Sequence, residues 1–138
     1  MPEISYIEYT IKILCSIIIG FIVGFERQIY SHDAGIKTNM LVCLGSTLFS
    51  IMSYSIGGLD VGRISAQIVS GISFVCAGCI VKEKNNIRGL TTAGVLWVTA
   101  SLGLCIGFGN YKLAFLSVFF MQLILFIIKK VEHLWRKK

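Results

Sequence analysis

The sequence is short of charged residues and almost free of proline. Charged residues make up 14% of its 138 positions, whereas a soluble domain of ordinary composition carries about 25%. The single proline is Pro2, and no linker-like stretch divides the chain. Because 55% of the residues are hydrophobic, the chain cannot cover a water-facing surface. We therefore predict one domain that has the membrane as its solvent.

Motifs that are typical of soluble proteins are missing as well. The chain has no nucleotide-binding or zinc-finger motif, and the basic tail at 136–138 is too short to indicate a nucleic-acid partner. Cys76 and Cys79 have a C-x-x-C spacing but lack the second ligand pair of a structural zinc site. No serine, cysteine or histidine has an identifiable base together with a group that orients it. We therefore predict neither an enzyme nor a bound cofactor.

The hydrophobic residues gather in five long runs. Each run has about 16–18 residues, which is near the shortest length that crosses a bilayer as a helix, and none shows a polar face at helical period. The runs lie at about 9–25, 40–56, 64–81, 93–108 and 113–128. The sequence therefore predicts an all-α integral membrane protein with five transmembrane helices.

Five spans would divide the basic residues unevenly between the two sides of the membrane. Three lie on the side of the N-terminus, namely Lys12, Arg63 and Lys112. Ten lie on the other side, namely Arg27, Lys37, Lys82, Lys84, Arg88, Lys129, Lys130, Arg136, Lys137 and Lys138. Because cytoplasmic loops are enriched in lysine and arginine, we predict an outside N-terminus and a cytoplasmic C-terminus. The basic cytoplasmic face is expected to attract anionic lipid headgroups.

Small residues recur along the first and third runs, at spacings of four and seven residues. Helices in lipid gain little from burying leucine, so small residues promote packing by letting two backbones approach. The predicted packing residues are Ser16, Gly20, Gly24, Gly71 and Gly78, with Trp97 as an anchor inside the fourth run. We expect the small-residue grooves to support a homo-oligomer, specifically a homodimer.

Two polar stretches on the predicted cytoplasmic side each combine a basic residue, a glycine and a threonine just before an apolar run. Their threonines are natural helix N-caps, and helix N-termini together with lysine and arginine attract anions. The cluster therefore either holds the inner loops together or binds a lipid phosphate, a phosphorylated ligand or a partner's carboxylate. Its predicted members are Glu26, Arg27, Lys37, Thr38, Arg88, Thr91 and Thr92.

Glu26 lies at the very edge of the first run, where a charge is costly unless it is paired. We expect it to pair with Arg27, Lys37 or Arg88. The alternative is that Glu26 serves as a proton site or as a cation ligand, which makes it the candidate ligand for Mg²⁺. Magnesium prefers several oxygen ligands in an octahedral array, and the runs offer only amides, hydroxyls and backbone between the interfaces. No metal site is therefore predicted.

A second polar group lies on the outer side, before and within the third run. Asp60 is expected to cap the third helix, and Arg63 lies in the same turn. Gln67 lies about one turn into the helix, where an interhelical hydrogen bond is its expected role. If the chain transported an ion, Gln67 and Glu26 would lie on the path at a subunit interface.

Several separated motifs of the chain resemble the MgtC/SapB family. The resemblance extends from about residue 21 to 104 and is carried by GFER (24–27), AGIKT (34–38), DVGRISAQIVSGI (60–72), RGLTTA (88–93) and Trp97. The family patterns have leucine at Phe25 and arginine at Lys37, and a lysine there lacks the bidentate fork of arginine. The family's glycine-rich pattern has glycines where this chain has Ser73 and Cys76.

This resemblance implies a bacterial inner-membrane protein connected with magnesium limitation, acid or phosphate stress and, in pathogens, virulence. It also implies a regulator of other membrane machinery, such as an ATP synthase or a transporter. Many longer members of the family carry a C-terminal soluble domain, and we expect only the membrane module in a sequence that ends at Lys138. We therefore predict a non-enzymatic membrane regulator. The alternative is a transporter or channel for Mg²⁺ or another ion.

Overall fold

The computed structural model describes residues 5–30, 32–56, 61–84 and 86–135. These residues form five helices and a short hairpin, so the predicted helical fold is confirmed. In chain order the elements are α1 (Tyr6–Ile29), α2 (Ile36–Ile56), α3 (Val61–Gly78), β1 (Val81–Glu83), β2 (Asn86–Arg88), α4 (Leu90–Gly107) and α5 (Tyr111–Trp135).

Within the described residues, four helices are long and apolar enough to cross a membrane. They are α1, α2, α4 and the segment Tyr111–Val131 of α5, with lengths of 24, 21, 18 and 21 residues. Since a helix rises about 1.5 Å per residue, even the shortest extends for about 27 Å, close to the thickness of the hydrocarbon layer. α3 has 18 residues and is not one of these four, so the fifth span stays a prediction.

The boundaries of the third run were predicted wrongly. α3 ends at Gly78 instead of continuing to Val81, because Cys79 and Ile80 close a tight turn on Cys76 and Ala77 with N–H···O distances of 3.1 Å. The chain then forms a two-stranded antiparallel hairpin in which Val81 lies opposite Arg88. This hairpin was not predicted, since its strands are only three residues long.

α1 packs closely against α2 through small residues. A Cβ atom on Gly20 would lie 2.6 Å from Met40 Cα, and one on Gly24 would lie 2.5 Å from Ile36 Cα. Real Cβ atoms do not approach backbone this closely, so any larger side chain would separate the two helices. Ser16, one turn earlier on α1, is fully buried. The structure thus places all three small residues of the first run at buried positions.

α4 also packs closely against α2, further along that helix. A Cβ atom on Gly103 would lie 2.7 Å from Ser46 Cβ, and one on Gly107 would lie 2.8 Å from Thr47 O. Thr47 Oγ1 donates a hydrogen bond of 2.9 Å to Gly103 O. α2 is therefore the central helix, and its serine and threonine side chains fill the narrow space beside α4.

An apolar core joins α1, α2, α4 and α5. Its members include Ile19, Val23, Cys43, Leu102 and Ile106, with Ala114, Val118 and Met121 from α5. α5 turns most of its other large side chains outward, where Phe119 and Phe126 are more than half exposed. Such an apolar outer face is what a helix at the lipid boundary presents.

Three of the predicted packing residues are exposed in the described part of the chain. Gly71 and Gly78 of α3 are exposed, and a Cβ on either would meet no atom within 4 Å. Trp97 is 46% exposed, because α4 turns its opposite face, with Val95 and Thr99, toward the other helices. Their predicted role in helix packing therefore stays a prediction.

Gly103 and Gly94 offer a matched pair of substitutions on α4. We expect Gly103→Ala to lower the free energy of unfolding by about 1–3 kcal/mol, since the added methyl group would overpack the contact with α2. Gly94→Ala should not lower it, because no atom lies within 4 Å of that position. Thermal unfolding of both variants in detergent measures the difference. Equal stability of the two variants would contradict the close approach of α4 to α2.

Candidate functional site

One end of the helix bundle contains a charged cavity of about 840 Å³. It lies between the end of α1, the loop before α2, the α3–α4 connection with its hairpin, the first turn of α4 and the late turns of α5. The charged residues that line it are Glu26, Arg27, Asp33, Glu83, Arg88 and Lys129. Cations and carboxylates are thus equal in number along the lining.

Arg27 is the most deeply buried charge of the cavity. The residue is only 2% exposed, and its Nη2 donates a hydrogen bond of 2.7 Å to Thr92 Oγ1. Its Nε is buried and has no hydrogen-bond partner among the described residues. The bond to Thr92, which is also buried, connects the end of α1 to the first turn of α4. Arg27 therefore both joins two helices and leaves a donor unused.

Glu26 and Lys129 also bring unpaired polar atoms to the cavity. Glu26 Oε2 and Lys129 Nζ are buried without a hydrogen-bond partner in the described part of the chain. Lys129 Nζ lies over the ring of Tyr30, a cation–π contact that offsets part of its desolvation. Within the described residues Glu26 forms no ion pair, so the expected pairing with Arg27, Lys37 or Arg88 is not made.

The N-terminus of α4 forms another part of the lining. Gly89 caps the helix with a left-handed backbone (φ 86°) and no side-chain cap bond, and a Cβ there would collide with the carbonyl oxygen of Cys79. The first backbone bond runs from Ala93 N to Gly89 O at 2.8 Å, which leaves the preceding amides without helical acceptors. Thr91 and Thr92 lie inside the first turn, so their predicted N-cap role is wrong.

The predicted polar cluster is only partly brought together. Glu26, Arg27, Arg88, Thr91 and Thr92 line the cavity, whereas Lys37 and Thr38 are not among its lining residues.

α2 already begins at Ile36, so Thr38 does not cap it. The carbonyls of Ala34 and Gly35 instead accept hydrogen bonds of 2.6 and 3.0 Å from Asn39 Nδ2. Asn39 Oδ1 in turn accepts from Thr99 Oγ1 at 3.1 Å, which ties the start of α2 to α4.

Arg88 lies at the rim of the cavity and does not reach Glu26. It pairs with Glu83 across the hairpin at 3.7 Å, and the two side chains are 69% and 57% exposed. An ion pair this exposed contributes little to stability. The ion pair instead holds one cation and one carboxylate in place at the entrance of the cavity.

Four lining residues with charged or imidazole side chains were not predicted as site residues: His32, Asp33, Glu83 and Lys129. His32 stands beside Asp33 in the sequence, but a single histidine in a loop does not by itself indicate a binding site. Desolvation lowers the pKa of His32 below its ordinary value of 6.5, the cations of Arg27 and Lys129 lower it further, and Glu26 and Asp33 partly oppose them. The imidazole is therefore neutral at pH 7. Lys129 was counted only as part of the basic tail.

The outer group of predicted residues lies apart from this cavity. Asp60 lies outside the described residues. Arg63 is exposed on α3, and Gln67 lines a second, mostly apolar groove of about 460 Å³ between α2 and α3. Among the described residues, no three histidine, cysteine, aspartate or glutamate side chains are grouped as metal ligands.

The fold and the cavity define a multi-pass membrane protein that presents a charged, partly buried site at one end of its helix bundle. Comparison with known families narrows this class, because the MgtC family model matches residues 13–134. The chain therefore belongs to the MgtC family.

Known relatives agree with this assignment. The chain is 42% identical over 104 residues to "Protein MgtC" of Salmonella typhimurium, covering 75% of this chain and 45% of the relative. It is 42% identical over 115 residues to "Putative magnesium transporter YhiD" of Escherichia coli K12, and this match covers 77% of this chain and 54% of the relative. For "Protein MgtC" of Brucella abortus the identity is 42% over 105 residues, which cover 75% of this chain and 44% of the relative. The chain thus spans about half the length of the curated relatives it matches. No solved structure matches it.

The bond between Arg27 and Thr92 can be tested with two neighbouring threonines. We expect Thr92→Val to lower the free energy of unfolding by about 1.5–3 kcal/mol, since it removes a hydrogen bond to a charged group and keeps the side-chain shape. Thr91→Val is the control, because Thr91 is exposed. Chemical unfolding in detergent measures both variants. A Thr92→Val variant as stable as the control would show that this bond contributes nothing.

Proposed function

We propose that this protein regulates other membrane proteins by binding, rather than by catalysis or ion transport. The observation that carries the proposal is the burial of Arg27, which is 2% exposed and lines the charged cavity. A fixed guanidinium inside a cavity repels a dication and favours an anionic group. The cavity is thus better suited to holding a charged ligand or a partner's side chain than to conducting Mg²⁺.

The coordination preference of magnesium supports the same conclusion. Mg²⁺ demands near-octahedral oxygen ligation and usually takes it from one or two carboxylates together with water or phosphate oxygens. Of the three lining carboxylates, Glu83 is paired with Arg88. Glu26 is followed in the chain by Arg27, whose charge competes with a bound cation. A regulatory site requires no such ligand set.

The proposal includes the topology indicated by the basic residues, with the charged cavity at the cytoplasmic end. α3 would then be the fifth span, since Cys79 at its end lines the same cavity as the end of α1. α2 begins at that end and α3 returns to it. The inner membrane of a bacterium is the location that we propose, in keeping with the resemblance.

A single cysteine in the hairpin tests this topology. Asn86 is exposed in β2, so we expect Asn86→Cys, in a chain whose five cysteines are replaced, to react with an impermeant thiol reagent only after the membrane is opened. Lys112→Cys, at the exposed start of α5, is the control and should react in intact cells. Labelling of position 86 in intact cells would reverse the proposed orientation.

The outer face of α3 is the surface that we propose for a second copy or a partner helix. Ala66 and Ser70 are exposed there, one turn apart, and small residues allow another helix to approach closely in lipid. The predicted homodimer would use this face. The basic hairpin beside it would contribute specificity for the partner.

A transporter or channel is the second candidate, and one observation favours it. Glu26 Oε2 is buried and has no hydrogen-bond partner within the described part of the chain, as a cation ligand would be before its ion binds. One relative carries the name "Putative magnesium transporter YhiD". The two candidates differ in whether Mg²⁺ crosses the membrane.

Flux through purified protein separates them. We expect liposomes that contain the full chain to take up Mg²⁺ no faster than empty liposomes, and Glu26→Gln to change nothing, because the buried guanidinium opposes a cation path. An entrapped Mg²⁺-sensitive dye measures the uptake. Uptake that depends on the protein and is abolished by Glu26→Gln would overturn the regulatory proposal in favour of transport.

Capture of a partner protein tests the regulatory proposal directly. We expect the tagged full chain, solubilised in a mild detergent, to retain a membrane protein partner. Arg88→Ala should weaken this retention, because the Arg88 side chain is 69% exposed at the cavity rim. Lys112→Ala, at the opposite end, is the matched control. Retention of the same proteins by both variants in equal amounts would contradict a specificity role for the hairpin.

A further inference from the structure

Two cationic nitrogen atoms of residues that line the charged cavity are buried, and neither has a hydrogen-bond acceptor among the described residues. They are Arg27 Nε and Lys129 Nζ, and both residues line the cavity. Buried donors in folded proteins nearly always have partners, so each exception calls for an explanation. Lys129 has a cation–π contact with Tyr30, but an aromatic face does not accept all three N–H groups of an ammonium. An acceptor with several oxygen atoms would satisfy both groups together.

The start of α4 adds a third set of donors to the same lining. Gly89, Leu90, Thr91 and Thr92 all line the cavity, and the first helical bond is donated by Ala93. The amides before it are therefore free to donate, and the 18-residue helix directs the positive end of its dipole toward the cavity. Amides at a helix start are a common binding site for phosphate groups.

We propose that the charged cavity binds a phosphate group through Arg27, Lys129 and the first amides of α4. A phosphate offers oxygen atoms in tetrahedral directions, which suits donors from three different helices better than a planar carboxylate does. The cavity of about 840 Å³ lies within the usual range for small-ligand sites. The phosphate comes either from a lipid headgroup or from free phosphate in solution.

Glu26 determines whether removing a negative charge from the cavity should strengthen or weaken phosphate binding. Glu26 lines the same cavity, and its Oε2 is buried with no hydrogen-bond partner from the described segments, so this carboxylate repels a bound phosphate. Asp33 and Glu83 also line the cavity, although Glu83 is partly neutralised by Arg88. Removing the charge of Glu26 should therefore strengthen phosphate binding. A cation site would respond in the opposite direction.

The inference rests on the proposed function only in taking the same cavity as the binding site. The experiment for this inference measures the binding of a phosphate compound directly. The flux and capture experiments measure transport and partner retention instead. A chain that binds phosphate and retains no partner would contradict the regulatory proposal alone. A chain that retains a partner without binding phosphate would contradict this inference alone.

The test uses the purified full chain in a maltoside detergent, which contains no phosphate. Calorimetric titration with inorganic phosphate and with short-chain phosphatidylglycerol measures the two sources separately. We expect saturable binding of at least one, weakened about 10- to 100-fold in Lys129→Gln, as the loss of a charge-assisted hydrogen bond predicts. Lys130→Gln is the matched control, because Lys130 is the exposed neighbour on the same helix and does not line the cavity.

Two further variants distinguish loss of binding from loss of folding. Arg27→Gln should also weaken binding, but it removes the bond to Thr92, so its unfolding temperature is measured alongside. Glu26→Gln should bind phosphate more tightly than the unaltered chain, which a misfolded variant cannot do.

The titrations identify the source of the phosphate group or overturn the inference. Binding of phosphatidylglycerol alone identifies a lipid headgroup site, and binding of inorganic phosphate identifies a site for the free ion. Equal affinity in the Lys129→Gln and Lys130→Gln variants, weaker binding in Glu26→Gln, or no saturable binding of either compound would overturn the inference.

Discussion

The close approach of α1 and α4 to α2 is the constraint on which the rest of the structure depends. Gly20 and Gly24 of α1 lie against the backbone near the start of α2, and Gly103 and Gly107 of α4 lie against it further along. Lipid tails compete for apolar surface as well as any neighbouring helix does, so close backbone contact and buried hydrogen bonds must hold the bundle together. Thr47 supplies such a bond to α4. With both helices held against α2, the end of α1 reaches the start of α4.

The charged cavity is a consequence of that convergence. Arg27 is buried where α1 ends, and its bond to Thr92 joins α1 to α4 across the bundle. A buried charge with one good hydrogen bond is still incompletely compensated, and the same holds for Glu26 and Lys129 nearby. A fold that needed only to be stable would gain by replacing such groups with apolar ones. Their presence in one cavity is what indicates a binding site, and MgtC family membership places that site in a membrane protein.

The helices could be predicted from the sequence more completely than the site. Long apolar runs leave few alternatives to helices in a membrane, so helices were expected, and the described residues form five, of which four are long and apolar enough to cross a membrane. The hairpin at Val81 was missed, because three-residue strands have no periodicity to detect. Thr91 and Thr92 were assigned as caps on composition, but Gly89 takes that position since the carbonyl of Cys79 leaves no space for a Cβ. The pairing of Glu26 was likewise assumed from nearness along the chain.

Composition and the order of apolar runs by themselves determined the membrane environment, the helical class and, through several separated motifs, the family. These properties follow from local chemistry, because lipid requires each segment to satisfy its own backbone hydrogen bonds. Only the tertiary structure decided which charges meet. Arg27 and Lys129 lie about a hundred positions apart, on helices whose facing sides depend on the packing of α2, α4 and α5. Helix rotation and contact are set by side chains of other segments, so no reading of one segment could join them.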